Sequence, residues 1–363
     1  MTLPERHLNS RFPVALDSWS MVAMSRYLHF VGTMPQFADA RMAMAWQLDE
    51  LRGRLRRLSG GETGPRLLWI AALIDELARL PQIQTVHSGK WTGYDDAVRL
   101  AVRRGARLSA EDIPLRLAEH ALEELAVLRE NGSPATSELP LQIGVPCYLD
   151  LALFIFGPLG VIRHRRMFLD AIAGQLADIH AQAGDRVVYQ LETPVALVAV
   201  TGTPPPLRAA MARLIAGLVL RQVARAPRGS RFGVHLCLGD LGHRALRQLN
   251  TADPVVRLAN AIARRWPTGR RLEYLHLPMS GGDLPPTTDA AFYAPLRGLR
   301  VGADVVAGIA HEGQDRTAQL AVRTLVERAT GTTVDIATSC GLGRRTPEQA
   351  EQAIAAMRAL LAD

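Results

Sequence analysis

A chain of 363 residues, 48% hydrophobic and 21% charged, can bury one large core or two ordinary ones, which excludes disorder as its main state. Its 42 Lys+Arg against 35 Asp+Glu give a formal charge of +7, but Lys90 is the sole lysine. The arginines are scattered through helix-like stretches without interleaved aromatics, so a solvated basic surface is expected and no nucleic-acid partner.

The N-terminal end, residues 1–26, reads as an extension; Met1 to Arg11 carries charges and Pro4 and no apolar leader, so a cytoplasmic protein is expected. Strand-like runs follow at 27–33, 54–59, 139–145, 186–191, 232–238, 272–277, 305–310 and 334–338. Helix-like stretches accompany them at 38–55, 66–80, 114–129, 167–183, 207–226, 254–266, 316–330 and 347–361. The last of these starts with Thr346 as N-cap, Pro347 at the first helical position and Glu348 in the first turn. The polar, poorly periodic stretch 86–113 reads as an insertion after the second unit. The apolar stretch around Leu149 to Ile162 falls short of the ~18 to 20 residues of a membrane span and is read as a core element. No membrane partner is expected.

Strands alternating with helices imply an α/β protein with a parallel sheet. Eight such units fit a single-domain (β/α)8 TIM barrel over 27–363, with an open doubly wound sheet as the rival. The barrel is favoured because residues able to do chemistry recur after so many strands, where barrel active sites assemble.

The first such group lies in Val-His-Leu-Cys-Leu-Gly-Asp, 234–240. Residues two apart on a strand share a face, so His235 and Cys237 project together. Ala-Thr-Ser-Cys-Gly-Leu-Gly-Arg-Arg, 337–345, sets Cys340 at the end of the last strand, and a barrel brings both ends to one mouth. Two thiols and an imidazole are donors that zinc selects, although the same pattern alone also suits packed core side chains. With three cysteines in a reducing compartment, a disulfide framework is not expected. Cys147 is a spare ligand or a buried structural thiol. Asp240, His243 and Asp283 are candidates to hold the second ring nitrogen of a ligating histidine. Ser-Gly-Gly-Glu-Thr-Gly, 59–64, can present Glu62 to a ligand with Arg66 opening the next helix, or be a plain capped turn; no Gly-Lys-Ser/Thr follows, so it is not a P-loop. Arg344 suits a carboxylate or phosphate, or solvent.

Several segments resemble the catalytic domain of cobalamin-independent methionine synthase. Tyr-Leu-His-Phe-Val-Gly-Thr-Met-Pro (27–35) is similar to that family's first strand and Leu-Gln-Ile-Gly-Val-Pro (141–146) to its third. Tyr-Gln-Leu-Glu-Thr-Pro (189–194) is similar to its Q-x-D-E-P segment and Ile-Ala-Thr-Ser-Cys-Gly-Leu-Gly-Arg-Arg (336–345) to its final strand. The order runs from Tyr27 to Leu360. The wider superfamily, which includes uroporphyrinogen decarboxylase, is built on (β/α)8 barrels.

The resemblance implies a Zn2+ site at His235, Cys237 and Cys340. Where the family has a glutamate on its sixth strand this chain offers His276, so the implied set is His2Cys2 or three-coordinate. It implies zinc activation of a small thiol acceptor for attack on a methyl or alkyl carbon, with His311 as the proton donor. Glu192 and Gln190 fall in the substrate-binding segment, joined by Glu62, Arg66 and Arg344. Thr193 replaces the neighbouring acid, which weakens amino-acid recognition. The chain is shorter than the full synthase, which carries an additional N-terminal barrel, so folate, a corrinoid protein or another donor all stay open. The alternatives are a zinc-free lyase resembling uroporphyrinogen decarboxylase and a non-catalytic barrel with structural zinc. Oligomeric state is not readable from the sequence.

Overall fold

The computed structural model describes residues 25–131 and 139–362. All but the last two residues of the 1–26 extension lie outside them. A seven-stranded, wholly parallel sheet forms the centre, with the strands β1 (Leu58–Ser59), β4 (Leu141–Pro146), β5 (Val187–Thr193), β6 (Arg231–Leu236), β7 (Arg271–Pro278), β8 (Asp304–Ala310) and β9 (Asp335–Thr338) side by side in chain order. The strands β2 (Ile83–His87) and β3 (Arg99–Val102) pair separately as an antiparallel hairpin. The sheet curls, and Leu28 makes isolated parallel bridges to Leu55 beside one edge and to Ile336 in the other edge strand.

The segment read as a first strand at 27–33 contributes only those two bridges. Its backbone is claimed by side chains: Gln142 donates to the carbonyls of Phe30 and Val31, and Gln190 donates to Val31. The second run, 54–59, shortens to the two residues of β1 for a similar reason, since Gln47 from the preceding helix bonds both the N–H and the carbonyl of Ser59.

Helices cover the sheet. α1 (Ala40–Glu50), α2 (Trp69–Ala78), α3 (Leu117–Asn131), α5 (Arg165–Ala183), α7 (Arg208–Arg225), α8 (Asp253–Arg264), α10 (Arg316–Thr330) and α11 (Pro347–Ala359) follow the expected order. α10 matches 316–330 because both ends are signalled: Asp315 accepts from Ala318 N–H at the start, and Gly331, at φ +73°, closes the end. Thr346 and Gln349 form a capping box at α11. Two helices were not expected as such. α4 (Tyr148–Arg163), bent at Gly157, occupies the apolar stretch, and α6 (Pro194–Thr201) follows β5 directly. Among the described residues, no helix is long and apolar enough to cross a membrane.

The main core lies between sheet and helices. α8 shows its logic: Val255, Leu258, Ala259 and Ile262 recur at helical spacing and are all buried. A second, small cluster of Val188, Tyr274, Val306 and Ala337 fills the concave side of the sheet. Tyr274 fits there only because its neighbour in register is Gly233; a Cβ on that glycine would stand 1.9 Å from the tyrosine ring. Polar groups share this interior, most of them paired. Tyr274 Oη donates towards Gln142 and Gln190, and the Arg57 guanidinium lies 4.1 Å from the Tyr274 ring centroid. Unpaired, each such buried group would cost about 1–3 kcal/mol.

Candidate metal centre

The curled sheet brings together residues far apart in sequence at the C-terminal ends of its strands. His235 lies near the end of β6 and Cys237 just beyond it, while Cys340 follows β9. Ligand atoms of these three side chains all lie within 4.8 Å of one another, and they are the one such group of His, Cys, Asp or Glu among the described residues. The two sulfurs are 3.6 Å apart, and His235 Nε2 lies 3.9 Å from Cys340 Sγ.

His276 is not part of the group. Strand register places it directly beside His235, and the two Nδ1 atoms are 2.8 Å apart. Its Nε2 lies 2.9 Å from the carbonyl of Thr338, which can only accept, so that nitrogen carries the proton. His276 Nδ1 is then an acceptor, His235 Nδ1 must donate to it, and the lone pair of His235 is left on Nε2, the atom that faces the thiols. Burial lowers both imidazoles, His276 to about 4 and His235 well below its ordinary value, the latter helped by His276. Both are therefore neutral at physiological pH, as ligation requires. His276 thus has the orienting role that the sequence offered to Asp240, His243 or Asp283. The Cys340 thiol is pushed well above the ordinary thiol range by its hydrogen bond with Cys237 and by burial. Two converging sulfurs and an oriented imidazole fit a divalent cation such as zinc, which would displace the thiol protons.

The three residues line a cavity of about 450 Å³. Glu62, Glu192 and Arg344 also line it. The two carboxylates converge over Gly144, where a Cβ would lie 2.4 Å from a Glu62 oxygen and 3.1 Å from a Glu192 oxygen. Glu192 is raised well above the carboxylate range by burial and by the facing Glu62. Glu62, at φ +41°, is raised by burial, with Arg66 and Arg344 opposing. Arg344 donates to Leu67 O at 2.7 Å. Arg66 does not line the cavity; it is paired with Glu124, whose carboxyl burial lifts to about 7.

Two expected site residues stand elsewhere. Gln190 is fully buried inside the sheet, bonded to His29, Val31 and Tyr274, and has no face on the cavity. His311 lies on a separate cavity, its Nε2 donating to Gly282 O at 3.2 Å and its Nδ1 accepting from Gly313 N–H at 2.9 Å. Burial lowers its pKa, which favours the neutral ring. Cys147 is buried at the start of α4, outside the group of three.

The β2–β3 hairpin adds residues that the sequence reading left unassigned. Trp91 and Tyr94, from the loop between its strands, line the cavity. Asp96 braces this loop: its carboxylate accepts from Lys90 N–H and the Thr92 hydroxyl, and its carbonyl from Trp91 N–H, with Trp91 held at φ +59°. Tyr94 Oη accepts from Leu241 N–H at 3.1 Å, seating the loop on the segment after Cys237. The available signal was the pair of aromatics in an otherwise polar insertion. Leu67, Trp69, Leu153 and Phe154 make much of the remaining wall apolar.

No family model and no curated protein matches this sequence. Solved structures do match it. A B12-independent methionine synthase from Shewanella sp. W3-18-1, in complex with selenomethionine, is 13% identical over 93% of this chain and 97% of that one, with a TM-score of 0.61. A methyltransferase from Methanosarcina mazei is 14% identical over 93% of this chain and 95% of that one, with a TM-score of 0.49. At these identities the likeness is one of fold, and the fold of this chain is that of the Shewanella methionine synthase structure.

Proposed function

We propose that this chain transfers a methyl or alkyl group to a small thiol, with Zn2+ held by His235, Cys237 and Cys340. The observation that carries the reading is the convergence of two thiols and one imidazole, its free lone pair turned towards them, in the wall of one cavity. Zinc bound there would lower the pKa of an acceptor thiol enough to make it a nucleophile at neutral pH.

The chain's own residues do the rest. Glu62 and Glu192, two facing carboxylates that burial raises above the ordinary carboxylate range, would gain by receiving an ammonium group, so the acceptor is read as an amino-acid thiol. That the Shewanella structure holds selenomethionine supports this choice. Trp69, Trp91, Tyr94 and Phe154 form the apolar wall where the alkyl donor would lie, and the hairpin loop would keep water from the reacting carbon. The donor is a folate, a corrinoid protein or another alkyl compound. With both nitrogens of His311 engaged by backbone, its part as proton donor would need a local rearrangement. The Leu28 bridges support reading residues 27–363 as one eight-stranded barrel closed by the first segment. A lyase working without zinc has no use for the converging thiols.

The test is metal content by elemental analysis of the wild type beside Cys237→Ser and Cys340→Ser. One zinc per chain, lost in both variants, is expected. Carefully handled wild-type protein that binds no zinc would overturn the reading.

A further inference from the structure

Asp240 presents a buried carboxylate that the arrangement above leaves unused. Its side chain is 7% exposed, it lines the same cavity as the three candidate ligands, and neither of its oxygens has a hydrogen-bond partner among the described residues. The His243 ring faces it, with Nδ1 at 3.5 Å from Asp240 Oδ1, and that nitrogen is itself without a hydrogen bond among the described residues. An ionised carboxylate enclosed in this way is costly unless a positive charge meets it.

The surrounding chain makes room for this group. Gly239, at φ +80°, turns the backbone between Cys237 and Asp240. Gly282 leaves the space the carboxylate fills, since a Cβ there would stand 2.4 Å from Oδ1. The negative charge of Asp240 contributes to raising the Cys340 thiol and the Tyr94 hydroxyl, so it bears on the thiol end of the cavity. Meanwhile the group of three has no fourth donor among the described residues, and both nitrogens of His276 are engaged elsewhere.

We propose that Asp240 is the fourth, exchangeable ligand of a metal ion held by His235, Cys237 and Cys340, coordinating while the site is free of substrate and yielding its place to the incoming thiol. The inference rests on the metal reading above. In this structure the carboxylate stands outside the group of three, so it must swing inward, and no hydrogen bond of its own opposes that movement. A carboxylate is a common zinc ligand beside thiolate and imidazole, and an oxygen donor is more readily displaced by a thiolate than either of them.

The experiment compares wild type, Asp240→Ala and Asp240→Asn after loading with Co2+ or Zn2+. In wild type, Co2+ is expected to give thiolate charge-transfer bands, a four-coordinate ligand-field spectrum and little enhancement of water-proton relaxation, because the carboxylate fills the last position. In both variants the ligand-field bands shift, water relaxation rises as solvent enters, and zinc affinity falls at least about tenfold, the lower edge of what even an outer partner of a metal ligand contributes. Titration with 2-mercaptoethanol should run the other way, with the variants binding the thiol more tightly than wild type because no carboxylate competes. If all three proteins share one spectrum, relaxation and thiol affinity, the proposal is overturned while the metal reading stands. If wild type shows no thiolate bands at all, it is the metal reading that fails. An Asp240 whose role is to pair with His243 would instead give variants that match His243→Asn in unfolding and leave the Co2+ spectrum untouched.

Discussion

The Nδ1 atoms of His235 and His276 lie 2.8 Å apart on adjacent strands paired in register. Only one proton can sit between them, and the Thr338 carbonyl decides which ring supplies it by holding the far nitrogen of His276. A backbone carbonyl on β9 thereby fixes the tautomer of a side chain on β6.

Replacing His276 with Phe would remove that brace. The ring of His235 could then rotate, and the Thr338 carbonyl would lose its donor. Zinc affinity, measured by competition with a colorimetric chelator, should fall about 10–100-fold. Urea unfolding of the metal-free protein should show a loss of about 1–3 kcal/mol from the orphaned polar groups. Unchanged zinc affinity would mean that His235 is held by packing alone.

The facing carboxylates give a pH signature. Burial and Glu62 raise Glu192 in the folded protein, so the folded state keeps a proton that the unfolded chain releases near 4.5. Stability therefore falls, through this group, as pH climbs from 4.5 towards the folded value, by up to about 1.4 kcal/mol per pH unit. Glu192→Gln removes the effect. Its stability relative to wild type should grow between pH 5 and pH 8 in urea titrations, while any ammonium-bearing thiol binds less well. A difference that stays flat with pH would show that neither burial nor the facing Glu62 raises Glu192.

Much of this was readable from sequence where local signals are strong. α10 has an aspartate cap and a terminal glycine, and the His-x-Cys pair follows from the two-residue period of a strand. α4 and α6 were not readable as helices because they are apolar on most sides and carry no 3.6-residue rhythm. The first strand failed because glutamine side chains from β4 and β5 take its carbonyls, a contact across more than a hundred residues. The hairpin failed because its strands are short, β2 being exposed beyond its first residue, without the alternation that marks a half-buried strand. Within the site, residue types pointed to His235, Cys237 and Cys340, which the structure brings together. The orientation of His276, and the seclusion of His311 and Gln190, depend on backbone carbonyls whose positions no spacing rule reports.

His311 offers a direct check on that last point. Its ring is held by Gly282 O and Gly313 N–H on a cavity apart from the thiols. His311→Gln preserves a donor for Gly282, so zinc content and 2-mercaptoethanol binding by the Co2+-loaded protein should stay within about twofold of wild type, the scatter of small local effects. Methyl transfer, once a donor is identified, should fall far less than the 10²–10⁴-fold typical of a lost general acid. A loss of that size with intact metal binding would show that the ring turns into the cavity during turnover.

Gly239 joins the metal loop to its roof. A Cβ there would sit 2.2 Å from Tyr94 Oη, and the residue's φ of +80° is unfavourable for any L side chain. Gly239→Ala should therefore displace Tyr94, free the Leu241 N–H and lift the loop that carries Trp91, at a cost of about 1–3 kcal/mol in backbone strain. The same change disturbs Cys237, whose sulfur accepts from Gly239 N–H at 3.2 Å, so zinc affinity should drop together with stability. Tyr94→Phe separates the two effects, because it keeps the ring and Gly239 but removes the acceptor for Leu241. It should raise amide exchange in residues 90–96 while leaving zinc affinity in place. If Gly239→Ala unfolds at the wild-type urea midpoint with unaltered exchange in that loop, the hairpin is not seated on the segment after Cys237, and its aromatics do not form the wall of the site.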